Sequence, residues 1–221
     1  PSYSEQKLNG MKIYRNQEYE NLGKAILENF TKRTGISFNV NQEQFFLVNL
    51  SCQFSYFLSF GNSQNVASFC ESEKYFSEVK TKRSVYQLVC DITKDIFPDK
   101  SQWKKVLVSD SFHYGVFQML SWLIKEDEPQ VKVAVFSKHG DIHRDILIYR
   151  LLGMTSRPTV IVEYDEQPDL LLSDYVLDRQ WFENLQGTSL ILSPNPLDEE
   201  RMRLIEVMSE IRERKWKQII K

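Results

Sequence analysis

A serine stands where a parallel α/β sheet would carry out its chemistry. Residues 131–136 form a short apolar strand pattern, and Ser137 opens the polar loop that follows. In such sheets, ligands and transferred groups bind at the carboxyl ends of the strands. A serine hydroxyl is a weak nucleophile without a neighbouring base, and this loop offers neither a base nor a glycine-rich phosphate cradle. The pattern indicates a fold built for chemistry that lacks its nucleophile.

Two histidines follow Ser137. His139 and His143 are four residues apart, a spacing that suits a metal ion only if both lie on one helix, and no third ligand is evident. Asp141 and Asp145 are explained as residues of a capped, solvated segment, and they would repel a phosphate bound beside the single glycine of the loop. We predict no metal and no cofactor in this chain.

The third histidine, His113, is the stronger candidate for a modification site. It follows Ser109, Asp110 and Ser111, any of which could cap a helix over 112–124. A helix N-terminus favours an anion, so a phosphoryl group on this imidazole would be stabilised there. The alternative is a histidine that fills a half-buried polar niche, and the residues alone leave both interpretations open.

The first 125 residues carry the periodicity of an all-α bundle. Apolar residues recur at spacings of three and four in four stretches, Tyr19–Phe30, Gln42–Phe60, Ser84–Ile96 and Phe112–Ile124. Gly35 fits the end of the first helix, and Asn41 is a candidate N-cap for the second. These features predict a bundle of about five helices over residues 1–125.

The last part of the chain predicts an α/β domain. Charged residues with a proline mark a linker at 126–130, and the domain covers 131–221. The strand patterns lie at 131–136, 159–162, 170–173 and 189–193. A helix pattern between the first two strands predicts parallel pairing in a four-stranded sheet, flanked by helices, of order 2-1-3-4. The apolar stripe predicted for the terminal helix is Leu197, Leu204, Ile205, Met208, Ile211 and Ile219.

The bulk composition argues against two functional classes. The formal net charge is −2, which disfavours DNA binding by this chain itself, although the end of the terminal helix is basic. No apolar run approaches the roughly 20 residues that span a bilayer. Three scattered cysteines favour reduced thiols in a cytoplasmic protein. Because the chain starts with Pro1, we expect a piece of a longer protein.

Together these patterns resemble the C-terminal half of the Mga/AtxA family of virulence regulators of Gram-positive bacteria. Members of that family have winged-helix DNA-binding domains, two phosphotransferase-regulated domains (PRDs) and a terminal domain similar to enzyme IIB of the sugar phosphotransferase system. Residues 1–125 resemble one PRD, a five-helix bundle. Residues 131–221 resemble the IIB-like domain, whose fold is flavodoxin-like. The resemblance implies DNA binding only through a domain absent from this chain.

Two positions can be carried over from the resemblance. Residues 112–117, Phe-His-Tyr-Gly-Val-Phe, match the PRD pattern in which a regulatory histidine opens a late helix, which implies that His113 is the phosphoacceptor. A phosphocarrier protein of the phosphotransferase system is the implied phosphodonor. The helix over Gln42–Phe60, where the earlier PRD histidine would fall, contains none. Ser137 occupies the position of the enzyme IIB cysteine, which implies no phosphoryl relay and a homodimer formed mainly through the IIB-like domain.

Three functions stay open from the sequence. The first is a regulatory, self-associating fragment of a transcription regulator, which is not an enzyme. The second is an active IIB-type phosphotransferase component, which would need a nucleophile other than Ser137. The third is a small-molecule-binding α/β module that uses the carboxyl edge of the sheet. The missing cysteine counts against the second, and the scarcity of glycine in the loop counts against the second and the third.

Overall fold

The structure, a computed structural model, describes residues 17–60, 82–96, 110–155, 157–178, 187–193 and 195–220 of the 221-residue chain. The chain divides into two compact units. The helical unit comprises residues 1–127 with 217–221, and the sheet unit comprises residues 128–216. Within the described ranges, no helix is both long enough and apolar enough to cross a membrane.

The described part of the helical unit contains four helices. They are α1 (Gln17–Thr34), α2 (Val40–Phe60), α3 (Arg83–Ile96) and α4 (Asp110–Leu123). All four coincide with the predicted helical stretches, because apolar residues at three- and four-residue spacing can be buried together only on a helix. The fifth helix of the predicted bundle stays a prediction.

The ends of the first two helices have identifiable chemical causes. Gly35 adopts φ +77°, and its amide donates to Thr31 O at 2.7 Å, so the predicted stop of α1 is confirmed. The predicted N-cap of α2 is wrong by two positions. Asn39 caps the helix, since its Oδ1 accepts from the amides of Asn41 and Gln42, and Gln42 Oε1 accepts in return from the amide of Asn39 at 2.9 Å. This reciprocal pair is a capping box.

Aromatic rings fill the core of the helical unit. Phe54 of α2 stacks on Tyr19 of α1 and contacts Phe112 of α4, each with ring centroids 5.1 Å apart. Phe54 and Phe112 are fully buried. Full burial of each large apolar side chain contributes about 1.5–3 kcal/mol, so these rings hold three helices together.

The sheet unit contains a four-stranded parallel sheet. Its strands are β1 (Val131–Phe136), β2 (Thr159–Ile161), β3 (Leu170–Ser173) and β4 (Thr188–Ile191). The strand order is β2-β1-β3-β4 and every pairing is parallel, so the predicted order 2-1-3-4 is confirmed. Helix α5 (Asp141–Met154) connects β1 to β2, and α6 (Asp198–Ile219) follows β4.

Helices α5 and α6 pack on the same face of the sheet. Val133 and Val135 of β1 lie beside Leu170 and Leu172 of β3, and alternate strand residues share a face. One core cluster joins these side chains to residues of both helices, Leu147, Leu151, Leu204, Met208 and Ile211. The predicted stripe of α6 is wrong at two positions, because Leu197 is 71% exposed and Ile205 is 41% exposed.

The basic end of α6 holds the helix on the amino end of the sheet. Arg212 is buried, and its Nη2 donates to Pro158 O at 3.3 Å. Burial, with the nearby charge of Arg157, lowers the pKa of Arg212 to about 10, so it stays protonated at neutral pH. Lys215 Nζ lies 2.6 Å from Asp169 Oδ2. These cations therefore have structural partners within the unit.

Candidate functional site

The parallel register brings Ser137 and Asp174 together at the carboxyl edge of the sheet. Phe136 pairs with Ser173 at the ends of β1 and β3, so the next residue of each chain segment lies at the same edge. Ser137 Oγ donates to Asp174 Oδ2 at 2.6 Å, and the amide of Lys138 donates to Asp174 Oδ1 at 3.1 Å. The amide of His139 donates to Ser137 Oγ at 3.1 Å. One carboxylate thus organises the start of the loop.

The prediction that no base lies beside Ser137 is wrong. Burial acts to raise the pKa of Asp174, but the hydrogen bonds from Ser137 and Lys138, together with the charge of His139, lower it below its ordinary value. Asp174 is therefore ionised at neutral pH and is a weaker proton acceptor than an ordinary carboxylate. The Ser137–Asp174 pair holds the loop in place, and its negative charge disfavours an anion at the same edge.

The sequence offered one signal that could have found Asp174. It directly follows the third strand pattern, as Ser137 follows the first, and residues that follow neighbouring parallel strands meet at one edge. Whether Ser137 and Asp174 meet depends on the pairing of the first and third strands, because that adjacency brings their side chains into contact.

Arg144 ties the beginning of α5 to the same edge. Its Nε donates to Val135 O at 3.1 Å, and its Nη2 lies 3.0 Å from Glu163 Oε1. Gly140 precedes α5 with φ +84°, a backbone conformation that residues with a side chain rarely adopt. The guanidinium group is thus held by a strand carbonyl and a carboxylate, and sequence reasoning did not single it out.

His139, in the loop after β1, and His143, in the first turn of α5, lie close together. The ring centroids of His139 and His143 are 5.1 Å apart. Across the described ranges, no three His, Cys, Asp or Glu side chains converge in a way that could hold a metal ion. The pair therefore supplies two nitrogen ligands where a structural zinc site uses four protein ligands.

His113 belongs to the helical unit. It is the fourth residue of α4, and only 6% of it is exposed. Its ring centroid is 6.1 Å from that of the fully buried Phe112. A phosphodonor needs access to an imidazole nitrogen, so α4 would have to expose this residue before any transfer. The assignment of His113 as a phosphoacceptor stays a prediction.

Close packing restricts the beginning of α4 further. A Cβ at Gly115 would lie 1.7 Å from Nε2 of Gln53, so the end of this α2 side chain lies against α4 and would have to move to admit a larger residue. Gln53 Nε2 also donates to Phe112 O at 3.5 Å. The site that resembles a PRD phosphorylation site is therefore a packed helix contact in this conformation.

Comparison of the sequence with models of known protein families and with curated proteins finds no match.

Proposed function

We propose that this chain is the regulatory and dimerisation part of a cytoplasmic bacterial transcription regulator of the Mga/AtxA type. In this proposal, the helical unit acts as a PRD, and the sheet unit acts as an inactive IIB-like domain of flavodoxin-like fold. The observation that carries the proposal is the Ser137–Asp174 hydrogen bond at the edge where enzyme IIB holds its nucleophile.

Asp174 accepts the hydrogen bonds that a phosphoryl group at this edge would otherwise accept. The Ser137 hydroxyl and the Lys138 amide both point to this carboxylate. A phosphoryl group would have to displace a negative charge and then replace both hydrogen bonds. These two hydrogen-bond donors therefore already have an acceptor within the chain. This supports a role in contact and regulation rather than in phosphoryl relay.

The burial of His113 supports a switch in the helical unit. A phosphoryl group adds about 1.5–2 negative charges by analogy with other phosphorylated side chains. A side chain with that charge cannot return to a site that is 6% exposed without a large desolvation cost. Phosphorylation of His113 would therefore trap an altered packing of α4, and a phosphocarrier protein is the proposed donor.

Phosphate transfer tests the proposal directly. The chain and its His113→Ala, His143→Ala and Ser137→Ala variants are incubated with a phosphocarrier protein charged from labelled phosphoenolpyruvate. We expect label on the wild type, on His143→Ala and on Ser137→Ala, and none on His113→Ala. His143 is the matched control because it is an exposed histidine of the other unit. An unlabelled wild type, or label that survives in His113→Ala, would contradict the regulatory assignment.

The second candidate is a IIB-type phosphotransferase component that uses Ser137. The 2.6 Å contact of its hydroxyl with a carboxylate favours it, since a nucleophile needs an adjacent base. The lowered pKa of Asp174 opposes it, because that carboxylate is a poor proton acceptor at neutral pH. Label that is lost in Ser137→Ala and kept in His113→Ala would establish this candidate instead.

A further inference from the structure

Helix α5 carries a second apolar stripe on the side opposite its core contacts. Ile142 is 77% exposed, Ile146 is 39% exposed and Tyr149 is 81% exposed. With the exposed Gly153, these positions have spacings of four, three and four residues. That spacing is the a/d repeat of a coiled-coil seam, which lies along one line of a helix. We call these four residues the α5 seam.

The α5 seam is separate from the face that holds the helix on the sheet. Leu147 and Leu151 are buried in the core of the sheet unit, and they lie on the other side of α5. A helix that needed only to cover the sheet would carry polar residues on its outer side. No atom outside the local backbone lies within 4 Å of a Cβ built on Gly153, so this end of the seam is open. The outer side therefore has the composition of a contact surface.

Opposite charges flank the seam. If Ile142 and Tyr149 are d positions and Ile146 is an a position, then Asp145 falls at g and Arg150 falls at e. Neither charged side chain forms an ion pair within the part of the chain that the structure describes. Their charges are therefore available to a partner.

The placement of these charges selects a partner and an orientation. In a parallel helix pair, a g residue faces the e residue five positions later on the other helix, and such pairs set partner choice. Asp145 would then face Arg150 of a second copy, and two-fold symmetry repeats the contact. In an antiparallel pair, g faces g, which would place Asp145 beside Leu152 instead.

We propose that α5 packs in parallel against α5 of a second copy of this chain. Ile142, Ile146 and Tyr149 would each meet their own symmetry mates, with Asp145 and Arg150 paired across both flanks. This inference rests on the proposed function, because it names the dimer surface of the proposed IIB-like domain. The helix has 14 residues and is about 21 Å long, so the seam spans under two heptads. A contact this small gives a weak dimer, with a dissociation constant on the order of micromolar.

Charge exchange in the full chain tests both the surface and the orientation. Asp145→Arg and Arg150→Asp are prepared singly, and Glu206→Arg on the exposed side of α6 is the control with the same charge change as Asp145→Arg. Analytical ultracentrifugation measures the dissociation constant, and circular dichroism checks that each variant is folded. We expect each single variant to dimerise at least tenfold more weakly than wild type, and Glu206→Arg to match wild type.

A mixture of the two single variants tests directly whether residues 145 and 150 pair across the dimer. A heterodimer of Asp145→Arg with Arg150→Asp restores both opposite-charge pairs, so the mixture should dimerise like wild type. A mixture as weak as the single variants, or single variants as tight as wild type, overturns the α5 pairing. If the chain still dimerises in that case, the proposed dimeric function stands through another surface. A wild-type chain that stays monomeric at high concentration overturns both.

Discussion

At the scale of single residues, Asp174 holds the loop at the carboxyl edge of the sheet through its hydrogen bonds. It accepts hydrogen bonds from Ser137 and Lys138, and it keeps a charge that disfavours phosphate. Because its pKa is lower in the folded chain than in the unfolded chain, the ionised carboxylate stabilises the fold. That stabilisation is complete above the ordinary aspartate pKa, and it is lost as the pH falls through the lowered value.

Asp174→Asn keeps the shape of the side chain and removes its charge. We expect the variant to be less stable than wild type by about 1 kcal/mol at pH 7, because a partly exposed, charge-assisted hydrogen bond is lost. The difference should shrink below about pH 4, where wild-type Asp174 starts to be protonated as well. Urea unfolding at pH 7 and below about pH 4 measures this difference in stability, with the exposed Asp165→Asn as control. A difference that does not change with pH would show that the charge of Asp174 does not stabilise the loop.

At the scale of elements, α5 is a helix with two apolar sides. Its inner side, with Leu147 and Leu151, belongs to the core of the sheet unit, while the α5 seam faces outward. Its overall pattern is therefore less clearly amphipathic than that of an ordinary surface helix. We expect the inner side to contribute to the stability of the fold, and the outer side to contribute to the proposed association.

Two neighbouring leucines of α5 separate these duties. Leu151 is fully buried, whereas Leu152 is 47% exposed. We expect Leu151→Ala to lower the free energy of unfolding by about 2–5 kcal/mol, since it leaves a cavity. Leu152→Ala should change it by no more than about 0.5 kcal/mol. Chemical denaturation at low protein concentration, where dimerisation is negligible, makes the comparison, and equal losses in the two variants would contradict the placement of α5.

At the scale of the whole molecule, the distribution of charge leads us to predict that this chain does not bind DNA by itself. Its net charge is −2, and much of its basic C-terminal segment has structural partners. Arg212 is buried, Lys215 pairs with Asp169, and Arg214 Nη2 lies 3.4 Å from Thr188 Oγ1. DNA binding needs a concentrated surface of cations that are free to contact phosphates.

We therefore expect no binding of a labelled 20-base-pair duplex by this chain at about 0.15 M salt, up to roughly 100 µM protein. Fluorescence anisotropy measures the binding, and a titration at lower salt is the stringent arm because phosphate contacts strengthen there. Saturable binding that weakens steeply with added salt would show a basic surface that the described residues do not reveal.

The positions of the described helices and strands, and the order of the strands, could be predicted from the sequence. Periodic apolar residues located the four described helices of the helical unit, and short apolar runs located the four strands. The connection rules for parallel strands yielded the order β2-β1-β3-β4. These features depend on local periodicity and on chain connectivity, both of which can be read along the chain.

The contacts between side chains could not be predicted from the sequence, because they depend on how distant segments pack. Asp174 lies 37 positions beyond Ser137, and the adjacency of β1 and β3 brings the two into hydrogen-bond contact. The burial of His113, the exposure of Leu197 and the outward α5 seam likewise depend on what packs against each helix. Periodicity shows that a helix has an apolar side. Contacts between segments distant in sequence determine which apolar residues are buried and which stay exposed.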